Sequence, residues 1–249
     1  MKISGISLDI AWKDKARNFS KIEDTFLHET ADLYLLPEMF STGFCMEPEA
    51  IADRNEETLM WMKGFAARKN AAVCGSASVQ DGGRFVNRMY FVFPDGRFEF
   101  YDKRHLFSFS GEDQVYSKGQ ERVVVEYMGF RILLQVCYDL RFPVFSRNRG
   151  DYDVMLNVAN WPEKRADAWE HLLKARAIEN LSYVFGLNRI GTDGNNLYYR
   201  ESSRVCFADG SDIHRKEGNI ISAEFDLEKL SDFRSHFRFL DDRDEFTIH

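Results

Sequence analysis

Apolar positions along the chain switch period repeatedly. Ile3 to Ile10 alternates and reads as a strand, and Asp14 to Glu29 then brings Ala16, Phe19, Ile22, Phe26 and Leu27 to one helical face. Leu33 to Leu36 is a short strand. Glu56 to Lys69 is a second helix, with Leu59, Met62, Phe65 and Ala66 inward. Ala71 to Val79 reads as a strand that turns through Asp81-Gly82-Gly83-Arg84 into Phe85 to Phe93, and Pro94-Asp95-Gly96-Arg97 turns again into Phe98 to Tyr101. Arg104 to Gln120 carries no regular pattern, and a loop of that length inside a compact domain is functional or mobile. Strands follow at Val123 to Glu126 and Arg131 to Val136, then a short helix near Phe142 to Asn148 and a strand from Asp153 to Ala159. The next helix, Asp167 to Asn180, is expected to turn Trp169, Leu172, Leu173 and Ile178 inward. Tyr183 to Asn188, Ser203 to Phe207 and Ile220 to Phe225 complete the strands, Ala208-Asp209-Gly210-Ser211 makes a turn, and Leu227 to Phe237 is a final helix. No linker composition or repeat interrupts this, so residues 1–249 form one α/β domain. Strands outnumber helices, which favours two packed sheets with helices outside over one doubly wound sheet.

Three of the strands end in the same way. Leu33 to Leu36 runs into Pro37 and Glu38, Phe98 to Tyr101 into Asp102 and Lys103, and the apolar run ending at Val136 into Cys137, Tyr138 and Asp139. A carboxylate, an amine and a thiol at three strand ends suggest one site at the lip of the sheets. A neutral thiol is a poor nucleophile, so Cys137 needs a base or a cation beside it. Glu38 can take its proton, and Lys103 can favour the thiolate or hold an oxyanion. Taken singly, each of these residues is an ordinary buried cysteine, solvated acid or polar turn; their repeated placement carries the reading. Pairing of Cys137 with His105 or His171 is a second way to activate the thiol. The surrounding residues do not favour it.

Composition removes several classes. The 249 residues are 44% hydrophobic, and 33 Lys and Arg face 40 Asp and Glu for a formal net charge of −7. That balance argues against nucleic acid or an anionic membrane as partner. No apolar stretch reaches the roughly 20 residues of a membrane span. The first strand begins at once, with no signal-peptide core, so a cytoplasmic protein is expected. Cys45, Cys74, Cys137 and Cys206 lie far apart, which argues against zinc and dithiol chemistry; all but Cys137 are expected to be buried hydrophobes.

Leu35-Leu36-Pro37-Glu38-Met39-Phe40, Tyr101-Asp102-Lys103-Arg104-His105-Leu106-Phe107 and Val136-Cys137-Tyr138-Asp139-Leu140-Arg141-Phe142-Pro143 resemble the three signature blocks of the nitrilase (carbon–nitrogen hydrolase) superfamily. Asn157-Val158-Ala159-Asn160-Trp161-Pro162 and Ala175-Arg176-Ala177-Ile178-Glu179-Asn180 are similar to its omega-amidase branch. The resemblance implies a four-layer α-β-β-α sandwich that pairs into a homodimer, and a Glu-Lys-Cys triad with no metal and no organic cofactor. On the matching positions it implies Glu38 as general base, Lys103 as oxyanion-stabilising cation and Cys137 as nucleophile, with Glu112 as a second glutamate in the loop after the lysine block. It implies hydrolysis of a small amide, with 2-oxoglutaramate or 2-oxosuccinamate favoured. Tyr138 and Asp139 after the cysteine differ from the Trp-Glu of true nitrilases, which moves the reading from nitriles to amides. N-carbamoyl amino acid hydrolysis stays open, as does a non-catalytic interaction module. Phe40, Tyr138, Asn160 and Trp161 are candidate substrate contacts. Arg141 and Arg165 are candidate partners for a substrate carboxylate, unless Arg141 pairs with Asp139 or Glu179. The tail from about 238 to 249 is expected at a dimer boundary or folded back on its own subunit.

Overall fold

The computed structural model describes residues 1–247. In chain order the strands are β1 (Lys2–Ile6), β2 (Leu33–Leu35), β3 (Ala72–Asp81), β4 (Arg84–Val92), β5 (Phe98–Asp102), β6 (Val124–Tyr127), β7 (Phe130–Val136), β8 (Val154–Ala159), β9 (Tyr183–Asn188), β10 (Gly191–Thr192), β11 (Tyr198–Tyr199), β12 (Arg204–Cys206), β13 (Arg215–Glu217) and β14 (Ile220–Glu224). They form a seven-stranded sheet in the order β13-β14-β1-β2-β3-β4-β5, a five-stranded sheet in the order β12-β9-β8-β7-β6, and the small hairpin β10-β11. In both large sheets the parallel strands occupy the middle, β1-β2-β3 and β7-β8-β9, and antiparallel strands flank them.

Strand alternation sorts the core into layers. Ile3, Leu33, Leu35, Ile132, Leu134, Leu156, Phe185 and Leu187 meet between the sheets. Tyr34, Leu36 and Val73, on the opposite face of the seven-stranded sheet, pack against Ile22, Phe26, Leu59, Met62 and Phe65 of the helices Lys15–Thr25 and Glu57–Lys69. Leu133, Met155 and Val184 of the five-stranded sheet pack against Trp169, Leu173 and Ala177 of the helix Ala166–Asn180. The result is the α-β-β-α sandwich that the sequence predicts. Asp14 starts the first helix by accepting the Arg17 N–H at 3.0 Å, and Asn70 and Leu181 end the other two in left-handed conformations.

Some local expectations change. Ala16 and Ile178 face solvent at the margins of their helical stripes, and Leu27 does so because the helix has already ended at Thr25. The segment 104–120 is not featureless: it contains a tight turn at Ser108–Ser110 and a short helix at Glu112–Val115. Its return path depends on Gly119, where an added Cβ would sit 2.0 Å from the Asp102 carbonyl oxygen. The described part of the tail makes contacts within the chain. Arg243 donates to the Arg149 carbonyl at 3.4 Å, and the Arg149 guanidinium lies 5.2 Å from the Phe246 ring centre. Residues 248 and 249 of the predicted tail lie outside the described residues. Among the described residues no helix is long and apolar enough to cross a membrane.

Candidate active site

Glu38 follows β2, Lys103 follows β5, Cys137 follows β7 and Asn160 follows β8, so the two sheets bring their strand ends to one place. Glu38, Lys103 and Glu112 are completely enclosed. The Lys103 ammonium donates to Glu38 Oε1 at 2.9 Å and to both Glu112 oxygens at 3.0 and 2.8 Å. Glu112 Oε2 also accepts the Phe107 N–H at 2.6 Å, which ties the short helix to the site. Asn87, inside β4, donates to Glu38 Oε1 at 2.8 Å and to Glu112 Oε1 at 3.3 Å; its own oxygen accepts from Ser76 Oγ at 2.8 Å. Asn160 reaches across from the other sheet. Its backbone N–H donates to Glu38 Oε2 at 2.8 Å and its side-chain amide to the Glu38 carbonyl at 2.6 Å.

Both site turns use unusual backbone. Met39 and Cys137 have φ of +44° and +48°, a region that costs a side-chain-bearing residue about 1–2 kcal/mol. At Cys137 this reversal takes the chain from β7 straight into the turn Cys137–Arg141 and leaves the sulfur 4.0 Å from the Asn160 carbonyl. Asp139, fully buried below it, accepts from the Val136 N–H (3.0 Å), the Tyr101 hydroxyl (2.8 Å) and the His105 N–H (3.0 Å), and pairs with His105 Nδ1 (2.7 Å).

The electrostatics follow from enclosure. Burial pushes the Cys137 thiol well above its ordinary range; the nearby charge of Glu38, and less so Glu112, adds to the rise, and Lys103 opposes it. Burial alone would neutralise Lys103, but the two carboxylates outweigh it and raise its pKa. Burial and the charge of Glu38 raise the Glu112 carboxyl against the pull of Lys103. The resting arrangement is therefore a neutral thiol beside a Lys103 ammonium that is held between Glu38 and Glu112.

Cys137 opens onto a cavity of about 350 Å³, whose wall includes Phe44, Phe107, Tyr138, Asn160, Trp161 and Tyr199. The cationic residues on the wall are Arg141 and Arg165. The cluster can move a proton from sulfur and present an ammonium to a developing negative charge, which is acyl-transfer chemistry at a carbonyl carbon. A model of the carbon–nitrogen hydrolase family matches residues 3–235. The chain belongs to the carbon–nitrogen hydrolase family.

Among proteins of that family, the chain is 42% identical to an omega-amidase, YafV, of Escherichia coli K12, over all of this chain and 98% of that protein. It is 31% identical to a 2-oxoglutaramate amidase of Bacillus subtilis, over 96% of each. Among solved structures, a CN-hydrolase superfamily protein of Xanthomonas campestris, XC1258, which carries an arsenic adduct in its active site, superposes with a TM-score of 0.95 at 40% identity, over all of this chain and 99% of that one.

Within this carbon–nitrogen hydrolase the sequence-predicted residues separate. Glu38, Lys103, Glu112, Cys137 and Asn160 come together, and Tyr138 and Trp161 line the cavity. Phe40, expected on the cavity wall, packs instead in the outer core against Phe19 and Trp61, with ring centres 6.3 and 5.7 Å away. The left-handed Met39 reverses the chain, and Phe44 takes the place at the cavity, its ring centre 5.2 Å from the Lys103 nitrogen. Arg141 pairs with neither Asp139 nor Glu179; Asp139 is taken by His105 and Glu179 by Arg176. His105 stacks on Phe142, His171 is exposed, and neither lines the cavity. Sequence reasoning missed Asn87 and Ser76, whose only signal was a polar residue at the interior of a strand. It also missed the β10–β11 hairpin, which brings Asp193, Leu197 and Tyr199 to the wall.

Proposed function

We propose that this protein is an omega-amidase that hydrolyses the terminal carboxamide of 2-oxoglutaramate or 2-oxosuccinamate to a carboxylate and ammonia. The observation that carries the reading is the enclosed Glu38–Lys103–Glu112 cluster, which meets the cavity at a single half-buried thiol. The names of the full-length relatives support the substrate class.

In the proposed cycle Glu38 takes the thiol proton as Cys137 sulfur attacks the amide carbon. The oxyanion that forms is held by the Lys103 ammonium and the Tyr138 backbone N–H. Collapse breaks the carbon–nitrogen bond, the nitrogen leaves as ammonia with the proton that Glu38 returns, and a thioester remains on Cys137. Glu38 then takes a proton from water as it attacks the thioester, and the second collapse releases the acid and restores the thiol. Glu112 keeps Lys103 in place and charged. Asn160 and Asn87 fix the two oxygens of Glu38. No cofactor takes part in these steps.

Ammonia release across 2-oxo acid amides, glutamine, asparagine, N-carbamoyl amino acids and simple nitriles tests the reading. The 2-oxo acid amides are expected to have the highest kcat/KM, and Cys137→Ala is expected to abolish both turnover and the acyl adduct seen by intact-mass spectrometry. Preference for carbamoyl compounds or nitriles, or wild-type turnover by Cys137→Ala, overturns it. We also propose a cytoplasmic homodimer. Four unpaired cysteines fit a reducing compartment, and the exposed apolar side chains Val144 and Ile178 suit a subunit contact. Sedimentation of a monomer at micromolar concentration refutes the dimer.

A further inference from the structure

Strand order gives the cavity two flanks. β5 and β7 end side by side, joined where the Tyr101 hydroxyl donates to Asp139, and they bring Lys103 and Cys137. β1 and β9 also end side by side, and there the Ile190 N–H donates to the Leu8 carbonyl at 3.1 Å. In the sheets β2 and β8 lie between these two pairs. The chain beyond β1 and β9, residues 7–14 and the β10–β11 hairpin, therefore closes the flank away from Lys103, and the catalytic cluster uses none of it. Trp12 lines the cavity on that flank, together with Leu197 of the hairpin and Phe44 and Met46 of the loop after Glu38.

The Trp12 indole rests on the backbone of two loops at once. A Cβ added at Gly194, in the hairpin turn, would lie 2.3 Å from both Cε2 and Nε1 of the indole, and one added at Gly43 would lie 2.8 Å from its Cε3. Contacts this close require glycine at both positions. The three segments are also tied to one another. The Lys13 N–H donates to the Thr42 carbonyl at 2.8 Å, and the buried Asn18 amide donates to the carbonyls of Ala11 and Ser41 at 2.8 and 2.9 Å. The enclosed Arg189 donates to the carbonyls of Ile10 and Thr192, each at 3.4 Å. A ring seated on braced backbone cannot swing aside, so the indole sets the room on this flank. The two acids there are engaged, Glu47 with Lys13 at 3.0 Å and Asp193 with the Tyr199 hydroxyl at 2.9 Å, which leaves a chiefly apolar surface toward a ligand.

We propose that Trp12 is a specificity-determining residue, a steric stop that limits the length of the acyl chain the cavity accepts. This rests on the amidase reading above. The carbon under attack is fixed at Cys137, so every methylene added to the acyl chain has to find room elsewhere in the cavity, and on this flank a pinned ring gives none. One methylene too many in an apolar site of fixed shape costs roughly 10- to 200-fold in kcat/KM. The stop therefore favours four- and five-carbon chains over their longer homologues.

The test is the ratio of kcat/KM for the six-carbon homologue of 2-oxoglutaramate to that for 2-oxoglutaramate itself. Trp12→Ala is expected to raise the ratio roughly 10-fold or more, and Trp12→Leu, which keeps more of the apolar packing and serves where the alanine variant does not fold, to raise it by less. Gly194→Ala, whose new Cβ cannot coexist with the indole in its present place, is expected to shift the ratio when Trp12 is present and to leave it unchanged in the Trp12→Ala background. A ratio that stays at its wild-type value or falls in the folded Trp12 variants overturns the proposal. So does a Gly194→Ala effect that is absent with the indole in place or persists without it. Absence of ammonia release from 2-oxoglutaramate by the wild-type protein would instead overturn the amidase reading.

Discussion

Burial, and then the charge of Glu38 and Glu112 with only Lys103 to offset them, holds the Cys137 thiol in its neutral form. The proposed base therefore raises the pKa of the group it serves, and proton transfer has to accompany attack rather than precede it. This has a counter-intuitive consequence for Glu38→Gln. The substitution removes one negative charge near the sulfur and leaves Lys103 paired with Glu112, so the cluster stays assembled. Turnover is expected to fall by roughly 100- to 10,000-fold, the usual contribution of a general base. The thiol titration, followed by thiolate absorbance in the ultraviolet, is expected to move to lower pH than in the wild type. In wild type the thiolate forms only above the ordinary range for a free thiol; in the variant its onset comes earlier as pH rises. A titration that moves upward would show that Glu38 stabilises the thiolate, and would remove the concerted step.

At the scale of elements, the decisive piece is the turn Cys137–Arg141 and the carboxylate inside it. Asp139 accepts three donors and pairs with the His105 ring, joining the end of β7 to the Lys103-bearing segment after β5. It thereby sets the position of the thiol relative to the ammonium. In Asp139→Asn one oxygen becomes an NH₂ group facing a ring of donors, which leaves buried groups unsatisfied. A loss of about 2–4 kcal/mol is expected in denaturant unfolding, together with a lower kcat. Wild-type stability with reduced kcat would mean that Asp139 acts on the chemistry and not as a clamp. Two of the three strand ends were legible because a buried strand meeting Pro37 or Tyr138-Asp139 has to stop at the rim of the sheet; the third follows Phe98–Asp102, a largely exposed strand at the margin of its sheet. The clamp was not legible: Asp139 stands two residues before Arg141 in sequence, but besides the Val136 N–H its donors come from residues 101 and 105. Phe40 was misread for a related reason. The left-handed Met39 breaks the alternation that a strand would have continued, so side-chain direction could not be counted forward from Leu36. The two-residue strands β10 and β11 are too short to carry any period, which hid Tyr199 and Asp193.

For the whole molecule, the site is a joint between two sheets. Glu38, Lys103 and Asn87 belong to the seven-stranded sheet, whereas Cys137 and Asn160 belong to the five-stranded one. Their spacing is set by how closely the sheets pack, and Gly5 marks a tight point. A Cβ there would lie 2.9 Å from Leu187 Cδ1 and 3.1 Å from Phe185 Cζ. Gly5 pairs with Leu35, three residues before Glu38, and Leu187 pairs with Val158, two residues before Asn160. Gly5→Val therefore drives a wedge between the strands that carry the two halves of the site. Overpacking of this kind costs about 1–3 kcal/mol. Leu173→Ala, beneath the outer helix, is a suitable control because it opens space on the far face of the five-stranded sheet at a cost of about 2–5 kcal/mol. With kcat measured well below both unfolding transitions, Gly5→Val is expected to lose roughly 10- to 100-fold, as reacting groups shift by a fraction of an ångström to an ångström. Leu173→Ala is expected to lose far less despite its equal or larger effect on unfolding. Equal losses in kcat would mean that activity follows global stability, and that the spacing of the sheets has no separate hold on the site.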